Sequence, residues 1–168
     1  RDNRTVIGID PGAAFGTGTH DTTRLCLNVL DKYCASGKTI LDIGSGSGIL
    51  SIAAVMLGCS GAVGVDIDAM AVKVAKENAE LNKVADRTEY VCGNLTEKIS
   101  GRFDIVCANI VADVIISLCD NVLDFIADGG MFICSGIIDT RENDVLKKLD
   151  EIGLVVTERF ESAGWVAL

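Results

Sequence analysis

Two short stretches of the sequence combine residue types that could bind a nucleoside. The first places glycines at alternate positions, Gly44, Gly46 and Gly48, between two apolar runs. Glycines at such a turn let the backbone approach a ligand closely, and a helix that follows offers free N–H groups. The second stretch ends a β-rich run with Asp66, twenty positions after Gly46. A carboxylate at this place can accept hydrogen bonds from both hydroxyls of a ribose.

The spacing of the glycines differs from that of two common nucleotide-binding loops. The glycines form G-x-G-x-G, whereas the dinucleotide fingerprint G-x-G-x-x-G would need glycine where Ile49 stands. The sequence also contains no G-x-x-x-x-G-K-[ST], which excludes a nucleoside-triphosphate loop. The structural alternative is a tight turn between a strand and a helix with no ligand. Beyond Asp66, Asp68 is expected to be the N-cap of a helix that begins near Ala69.

A run of glycines and hydroxyls, residues 15–23, precedes the first predicted helix. We expect that helix to be capped by Asp21, Thr22 or Thr23. The run could also fold over a ligand, with Gly16 and Gly18 as pivots. His20 is the only histidine, and in a polar loop it is expected to hydrogen-bond or cap a helix rather than act as a catalytic base.

A sheet in which the ends of several strands meet would bring the candidate residues together. The sequence predicts such a sheet, because β-rich runs alternate with helical stretches along the chain. The β-rich runs are residues 39–43, 62–66, 88–92, 103–109, 131–135, 154–160 and 165–168. The inner runs are almost entirely apolar, as in strands covered on both faces. The pattern predicts an α/β fold with a doubly wound, mostly parallel, seven-stranded sheet. The last two runs are joined by Ser-Ala-Gly, which predicts an antiparallel hairpin at one edge.

Apolar stripes at helical spacing separate these runs. One stripe is Cys26, Val29, Leu30 and Tyr33; a second recurs every fourth residue from Ile110 to Ile126; a third is Val145, Leu146, Leu149 and Ile152. Residues 43–65 carry no charge, and their glycines predict a loop, a buried helix and a buried strand rather than a membrane span.

Composition excludes several classes of function. The 168 residues fit one domain, and 49% are hydrophobic while 23% are charged. The net charge of −9 disfavours direct binding to nucleic acid; it indicates ordinary solubility or attraction of a basic partner. The seven cysteines include no C-x-x-C pair, which favours free thiols, a reducing compartment and no metal site. With no signal peptide, the sequence predicts a cytoplasmic protein without a membrane partner.

The glycine loop and the acid after it resemble those of the S-adenosylmethionine-dependent methyltransferases. The resemblance implies that S-adenosyl-L-methionine is the cofactor. It also implies that the cofactor is lined by Asp42, Gly44, Gly46 and Asp66. In that superfamily the third strand usually ends near an acid that meets the adenine. Here Asn94 stands at that place, and its amide can both donate and accept.

Longer motifs sharpen the resemblance. The F-G-T-G-T-H-D-T-T run at residues 15–23, the A-N-I-V-A-D-V run at 108–114, S-G-I at 135–137 and Trp165 are similar to the ribosomal protein L11 methyltransferase (PrmA) family. The similarity covers residues 6–168. It implies a Rossmann-like methyltransferase fold, one S-adenosylmethionine-binding domain over residues 1–168, and a cofactor contact from Thr23. The substrate-recognition domain that precedes this one in the family is expected to be absent from this chain.

Asn109 ends the fourth predicted strand and is the candidate catalytic residue, next to the cofactor. Many amine and amide methylases have Asn-Pro-Pro-aromatic here, and Ile110 and Val111 replace the prolines, which argues against adenine or side-chain-amide methylation. Asn109 offers a carbonyl acceptor to a nitrogen nucleophile, or it is only a strand-end turn residue.

The resemblance implies an N-methyltransferase for lysine side chains, and for an α-amine, of a basic ribosomal protein. The alternatives are a small-molecule methyltransferase with the same cofactor, or a cofactor-binding module without catalysis.

Overall fold

A computed structural model describes residues 5–10, 12 and 16–168, and Phe15 at the start of the 15–23 motif lies outside these ranges. The helices are α1 Asp21–Tyr33, α2 Ile49–Met56, α3 Ala69–Leu81, α4 Ala112–Leu118 and α5 Glu142–Glu151. The strands are β1 Thr39–Ile43, β2 Gly61–Asp66, β3 Thr88–Cys92, β4 Phe103–Asn109, β5 Ile126–Ser135, β6 Ile137–Ile138, β7 Phe160–Ser162 and β8 Trp165–Ala167.

The main sheet has five strands in the order β3-β2-β1-β4-β5, and every pair in it is parallel. The chain moves outward from β1 to β3, then crosses back to place β4 on the other side of β1. The carboxyl ends of β2 and β4 therefore flank the end of β1. This is the topological switch point at which open α/β sheets bind ligands.

Helices cover both faces of this sheet, because strand residues alternate between the two faces. Ile40 of β1 packs in a core cluster with residues of α1, α2 and α3, whereas Leu41 packs with residues of α4 on the opposite face. A third cluster joins α4 and α5 to the end of β5 and to β8. The doubly wound α/β class predicted from the sequence is confirmed.

The predicted count of seven strands in one sheet is wrong. The parallel sheet has five strands, and β6, β8 and β7 form a separate antiparallel sheet in that order. Of the predicted strand at residues 154–160, only Phe160 is in a strand, because residues 154–159 have no ladder partner, and Val155 is 85% exposed. The predicted hairpin is confirmed as the antiparallel pair β7 and β8. Leu168 links it to β5 by two backbone hydrogen bonds with Cys134, of 3.0 and 2.8 Å.

The stripes in α1 and α5 are confirmed, but the stripe from Ile110 to Ile126 is not one helix. The α-helix ends at Leu118, a 3₁₀ turn covers Val122–Phe125, and Ile126 begins β5. Leu118 and Val122 still share one core cluster, so the apolar spacing continues through a change of conformation.

The uncharged stretch is a loop, helix α2 and strand β2, as predicted. Every residue of α2 from Ile49 to Val55 is buried. In the part of the chain that the structure describes, no helix has the length and apolarity needed to cross a bilayer.

Candidate active site

The loop after β1 turns on glycines with left-handed backbone. The φ angles are +73° at Gly44, +51° at Gly46 and +81° at Gly48, a region that L side chains rarely adopt. The backbone N–H groups of Gly44 and Ser45 both donate to the carbonyl of Val65, at 2.8 and 3.0 Å. A Cβ at Gly44 would lie 2.6 Å from Cγ2 of Ile110. Glycine is therefore required at Gly44 by both conformation and space.

The carboxylate of Asp66 ties this loop to the next one. Its Oδ2 accepts from the backbone N–H of Gly46 at 2.8 Å, and its Oδ1 accepts from that of Asp68 at 3.0 Å. Each oxygen keeps a further lone pair for a ligand. Asp68 accepts from the N–H of Met70 at 2.8 Å, so the predicted N-cap of α3 is confirmed.

A cleft of about 400 Å³ lies at the carboxyl ends of β1, β2 and β4. Six of the seven predicted cofactor residues line this strand-end cleft: Thr23, Gly44, Gly46, Asp66, Asn94 and Asn109. The structure thus brings together residues from positions 23 to 109 of the chain.

Asn109 is joined to Thr23 inside the cleft. Its Nδ2 donates to Oγ1 of Thr23 at 3.3 Å, and among the described residues its Oδ1 has no bonded donor. The start of α1 is fixed there by Ser135, which pairs with Asn109 in the sheet and donates its hydroxyl to the carbonyl of Thr22 at 3.1 Å. The amide oxygen of Asn109 is therefore the group available for a ligand.

Asn94 lies at the opposite end of the cleft, after β3. It is exposed, and its Nδ2 donates to a carboxylate oxygen of Glu97 at 2.9 Å. Glu97 thus places a carboxylate next to Asn94, the position at which an acid is usual in the superfamily. The next residue, Leu95, lines the cleft with a φ of +47°.

Asp42 is the predicted cofactor residue that the structure does not place in the cleft. Because side chains alternate along a strand, Asp42 shares the face of Ile40 and points beneath α2. It is 1% exposed, and its Oδ2 accepts from the N–H of Ser51 at 3.2 Å. Its Oδ1 has no partner among the described residues. Burial raises the pKa of Asp42 to about 7. The hydrogen bonds from Ser51 lower this pKa and so oppose the effect of burial, whereas the charge of Asp66 raises it by a smaller amount.

His20 caps α1. Its Nδ1 accepts from the N–H of Thr22 at 3.3 Å, and its ring meets that of Trp165 edge-on, with centroids 5.4 Å apart. The prediction of a capping role for His20 is confirmed. The predicted cap at Asp21, Thr22 or Thr23 is wrong, because the helix already begins at Asp21.

Several residues of the site were not found from the sequence. Ile67 lines the cleft directly after Asp66 and is 73% exposed. Its position next to the acid that ends β2 was the signal in the sequence that could have identified it. Ser47 in the glycine loop and Asn78 on α3 behind it are buried. All seven cysteines are free thiols. Within the described ranges, no three His, Cys, Asp or Glu side chains are grouped so that they could hold a metal ion.

The fold and the cleft define the chain as a Rossmann-like methyltransferase domain. It superimposes on the crystal structure of a ribosomal protein L11 methylase from Lactobacillus delbrueckii subsp. bulgaricus with a TM-score of 0.90 and 29% identity, over 99% of this chain and 88% of that one. An RNA methyltransferase from Salinibacter ruber, solved with S-adenosyl-L-homocysteine, has the same fold with a TM-score of 0.67 and 22% identity, over 86% of this chain and 85% of that one.

The chain belongs to the ribosomal protein L11 methyltransferase (PrmA) family, whose model matches residues 1–168. It is 50% identical to the ribosomal protein L11 methyltransferase of Pelotomaculum thermopropionicum over 163 residues, which are 97% of this chain and 53% of the relative. It is 45% identical to that of Carboxydothermus hydrogenoformans, over all of this chain and 55% of the relative. The chain thus spans about half the length of the curated relatives it matches.

Proposed function

We propose that this chain binds S-adenosyl-L-methionine in the strand-end cleft and catalyses methylation of amines on ribosomal protein L11. The observation that carries the proposal is the placement of Asp66 and Asn109 on either side of the glycine loop, lining one cleft. Family membership and the L11 methyltransferases that match the whole chain support the same conclusion.

The residues of the cleft fit this cofactor. The left-handed glycines remove side chains where a ligand would meet the backbone. The lone pairs left on the carboxylate of Asp66 suit ribose hydroxyls, and the apolar side chains of Ile67 and Leu95 suit the faces of a purine ring. When bound, the cofactor supplies an activated methyl group on a sulfonium.

We assign to Asn109 the role of binding the substrate nitrogen that receives the methyl group. Its Nδ2 is engaged by Thr23, so the amide oxygen is left to accept a hydrogen bond from an amine. A lysine amine has a reference pKa of about 10.4, and only its neutral form is nucleophilic. The apolar side chains of Ile110 and Val114 line the cleft beside Asn109 and favour that neutral form. Orientation, rather than a strong base, is what the protein must supply.

The acceptors proposed are lysine side chains, and the α-amine, of a basic ribosomal protein. The net charge of −9 suits such a partner and disfavours direct contact with nucleic acid. We further propose that residues 1–168 form one cofactor-binding domain of a cytoplasmic protein without a membrane partner. The seven free thiols support a reducing compartment.

A calorimetric titration with S-adenosyl-L-methionine tests the proposal. The wild-type protein is expected to bind, and Asp66→Ala to weaken binding at least tenfold, about 1.4 kcal/mol, because the carboxylate both meets the ribose and holds Gly46. The matched control is Asp68→Ala, which removes the α3 cap, lowers stability by about 1 kcal/mol and leaves affinity unchanged. Unchanged affinity in Asp66→Ala would remove the ribose assignment.

A second assay separates the enzyme from a binding module. Ribosomal protein L11 incubated with the full-length protein and cofactor should gain methyl groups on amines, detected by mass spectrometry. Cofactor binding without methylation of L11 would favour the non-catalytic module or the small-molecule methyltransferase.

A further inference from the structure

Asn78 of α3 and Asn82, the residue that caps its C-terminus, hold the segment of residues 5–10, here called the strap. Asn82 accepts from the N–H of Gly8 at 2.9 Å and donates to its carbonyl. Asn78 does the same with Asp10, at 2.9 Å for both bonds. Four residues of α-helix rise about 6 Å, close to the spacing of two residues in extended chain, so Asn78 and Asn82 match residues two apart on the strap.

Asn78 makes one bond that Asn82 lacks. Its Nδ2 also donates to the carbonyl of Ser47 in the glycine loop, at 2.9 Å. The side chain is 1% exposed, so its amide is fully used by protein partners. Asn78 therefore connects the strap to the loop, whereas the side chain of Asn82 bonds only the strap and the backbone carbonyl of Asn78.

Ser47 extends this connection to the rim of the cleft. Its hydroxyl donates to the carbonyl of Gly16, which lines the strand-end cleft. The approach is close: a Cβ at Gly16 would lie 2.9 Å from Oγ of Ser47, and a Cβ at Gly18 would lie 2.8 Å from Cδ1 of Ile49. Gly16 thus rests directly on the loop that precedes α2, and Gly18 rests on the first residue of α2.

We infer that Asn78 and Ser47 are positioning residues that together set the position of Gly16 relative to Gly46, two residues that line the cleft. Gly46 is adjacent to Ser47 and is bonded to Asp66, so a shift of Ser47 reaches the acid as well. The inference rests on the proposed binding of S-adenosyl-L-methionine. Neither side chain needs to touch the ligand.

Three variants test this, each titrated with S-adenosyl-L-methionine by calorimetry. Ser47→Ala removes only the hydroxyl bond to Gly16, and Asn78→Ala removes the bonds to the strap and to the loop. Each is expected to weaken binding about tenfold, and the double variant no more than Asn78→Ala alone, because the bonds act in series. Asn82→Ala is the matched control: it loosens the strap at Gly8 and should change affinity less than about twofold.

Hydrogen exchange adds a readout that a purely structural role would not change. In the wild type and in Asn82→Ala, added cofactor should slow exchange of the amides at residues 16–19. In Ser47→Ala and Asn78→Ala this protection should be lost, while the amides of β1 exchange as in the wild type. If Asn78→Ala does not fold, Ser47→Ala decides the outcome.

The outcomes separate this inference from the proposed function. A wild-type protein that does not bind the cofactor would overturn the proposed function. Binding by the wild type with unchanged affinity in Ser47→Ala would overturn the inference alone. An equal loss in Asn82→Ala and Asn78→Ala would also overturn it, because anchoring of the strap would then explain the effect.

Discussion

Asn109 at the end of β4 donates its side-chain amide to the hydroxyl of Thr23 on α1, at 3.3 Å. The bond joins two positions 86 residues apart and occupies the NH₂ group of Asn109. In this orientation the carbonyl oxygen of Asn109 remains as an acceptor for a ligand. The orientation of this one amide therefore links the start of α1 to the proposed chemistry.

Removal of that amide should affect turnover more than cofactor binding. Asn109→Ala is expected to lower kcat about a hundredfold, because an oriented acceptor for the amine is lost. Thr23→Val keeps the shape but removes the oxygen that orients Asn109, and about a tenfold loss is expected. Steady-state kinetics with L11, together with calorimetry for the cofactor, give the two quantities. Full activity of Asn109→Ala would contradict the assignment.

The turn at Gly44 should not tolerate a methyl group. In Gly44→Ala, an alanine would have to adopt the left-handed φ, and its Cβ would lie 2.6 Å from Cγ2 of Ile110. Gly37→Ala is the control, since Gly37 has a φ of +85° and nothing within 4 Å of an added Cβ. Urea unfolding should show a loss of about 1–2 kcal/mol for the control and a larger loss for Gly44→Ala. Ile110→Leu, which lacks Cγ2, should recover part of the difference; equal losses in the two alanine variants would exclude the steric contact.

Asp42 should make stability fall as pH rises. Its pKa is 3.8 ordinarily and about 7 in the folded protein. Between these values the folded state keeps a proton that the unfolded state has released, so raising the pH favours unfolding until about pH 7. Relative to Asp42→Asn, the wild type should lose roughly 3 kcal/mol between about pH 4 and about pH 7, the interval between the two pKa values. Chemical denaturation of both proteins measures this, and a constant difference would show that Asp42 does not titrate there.

Replacement of His20 by another capping residue should leave activity intact. Asparagine is a favourable N-cap, so His20→Asn is expected to keep both the melting temperature and the pH profile of kcat, whereas His20→Ala should lose about 1 kcal/mol of stability. A stable His20→Asn protein with kcat reduced a hundredfold would instead make His20 a catalytic base.

Local signals predicted the residues that follow strand ends. Gly44, Gly46, Asp66 and Asn109 were proposed because they end a buried run or lie in the loop that follows one, and parallel strands bring such residues to one edge, where all four line the cleft. Asp42 was assigned to the cofactor by the family resemblance; it does not line the cleft, because it lies one residue inside the strand end, where the alternation of faces directs it beneath α2.

Long-range relationships could not be predicted. Asn78 and Ser47 are 31 residues apart and meet only through the packing of α3 on the glycine loop. The run at residues 154–160 has the composition of a strand, but strand formation also needs a neighbouring strand to pair with. There the described chain supplies one only at Phe160.

In the order β3-β2-β1-β4-β5, the residues that line the cleft are divided into two groups, one on each side of β1. The half that runs from β1 to β3 carries the glycine loop and Asp66, and the half from β4 onward carries Asn109 and the walls beside it. Under the proposed function, the acceptor could therefore be exchanged by altering the second half while the half that binds the nucleoside stays unchanged. Chimaeras cut between β3 and β4 are a natural unit for engineering new acceptors.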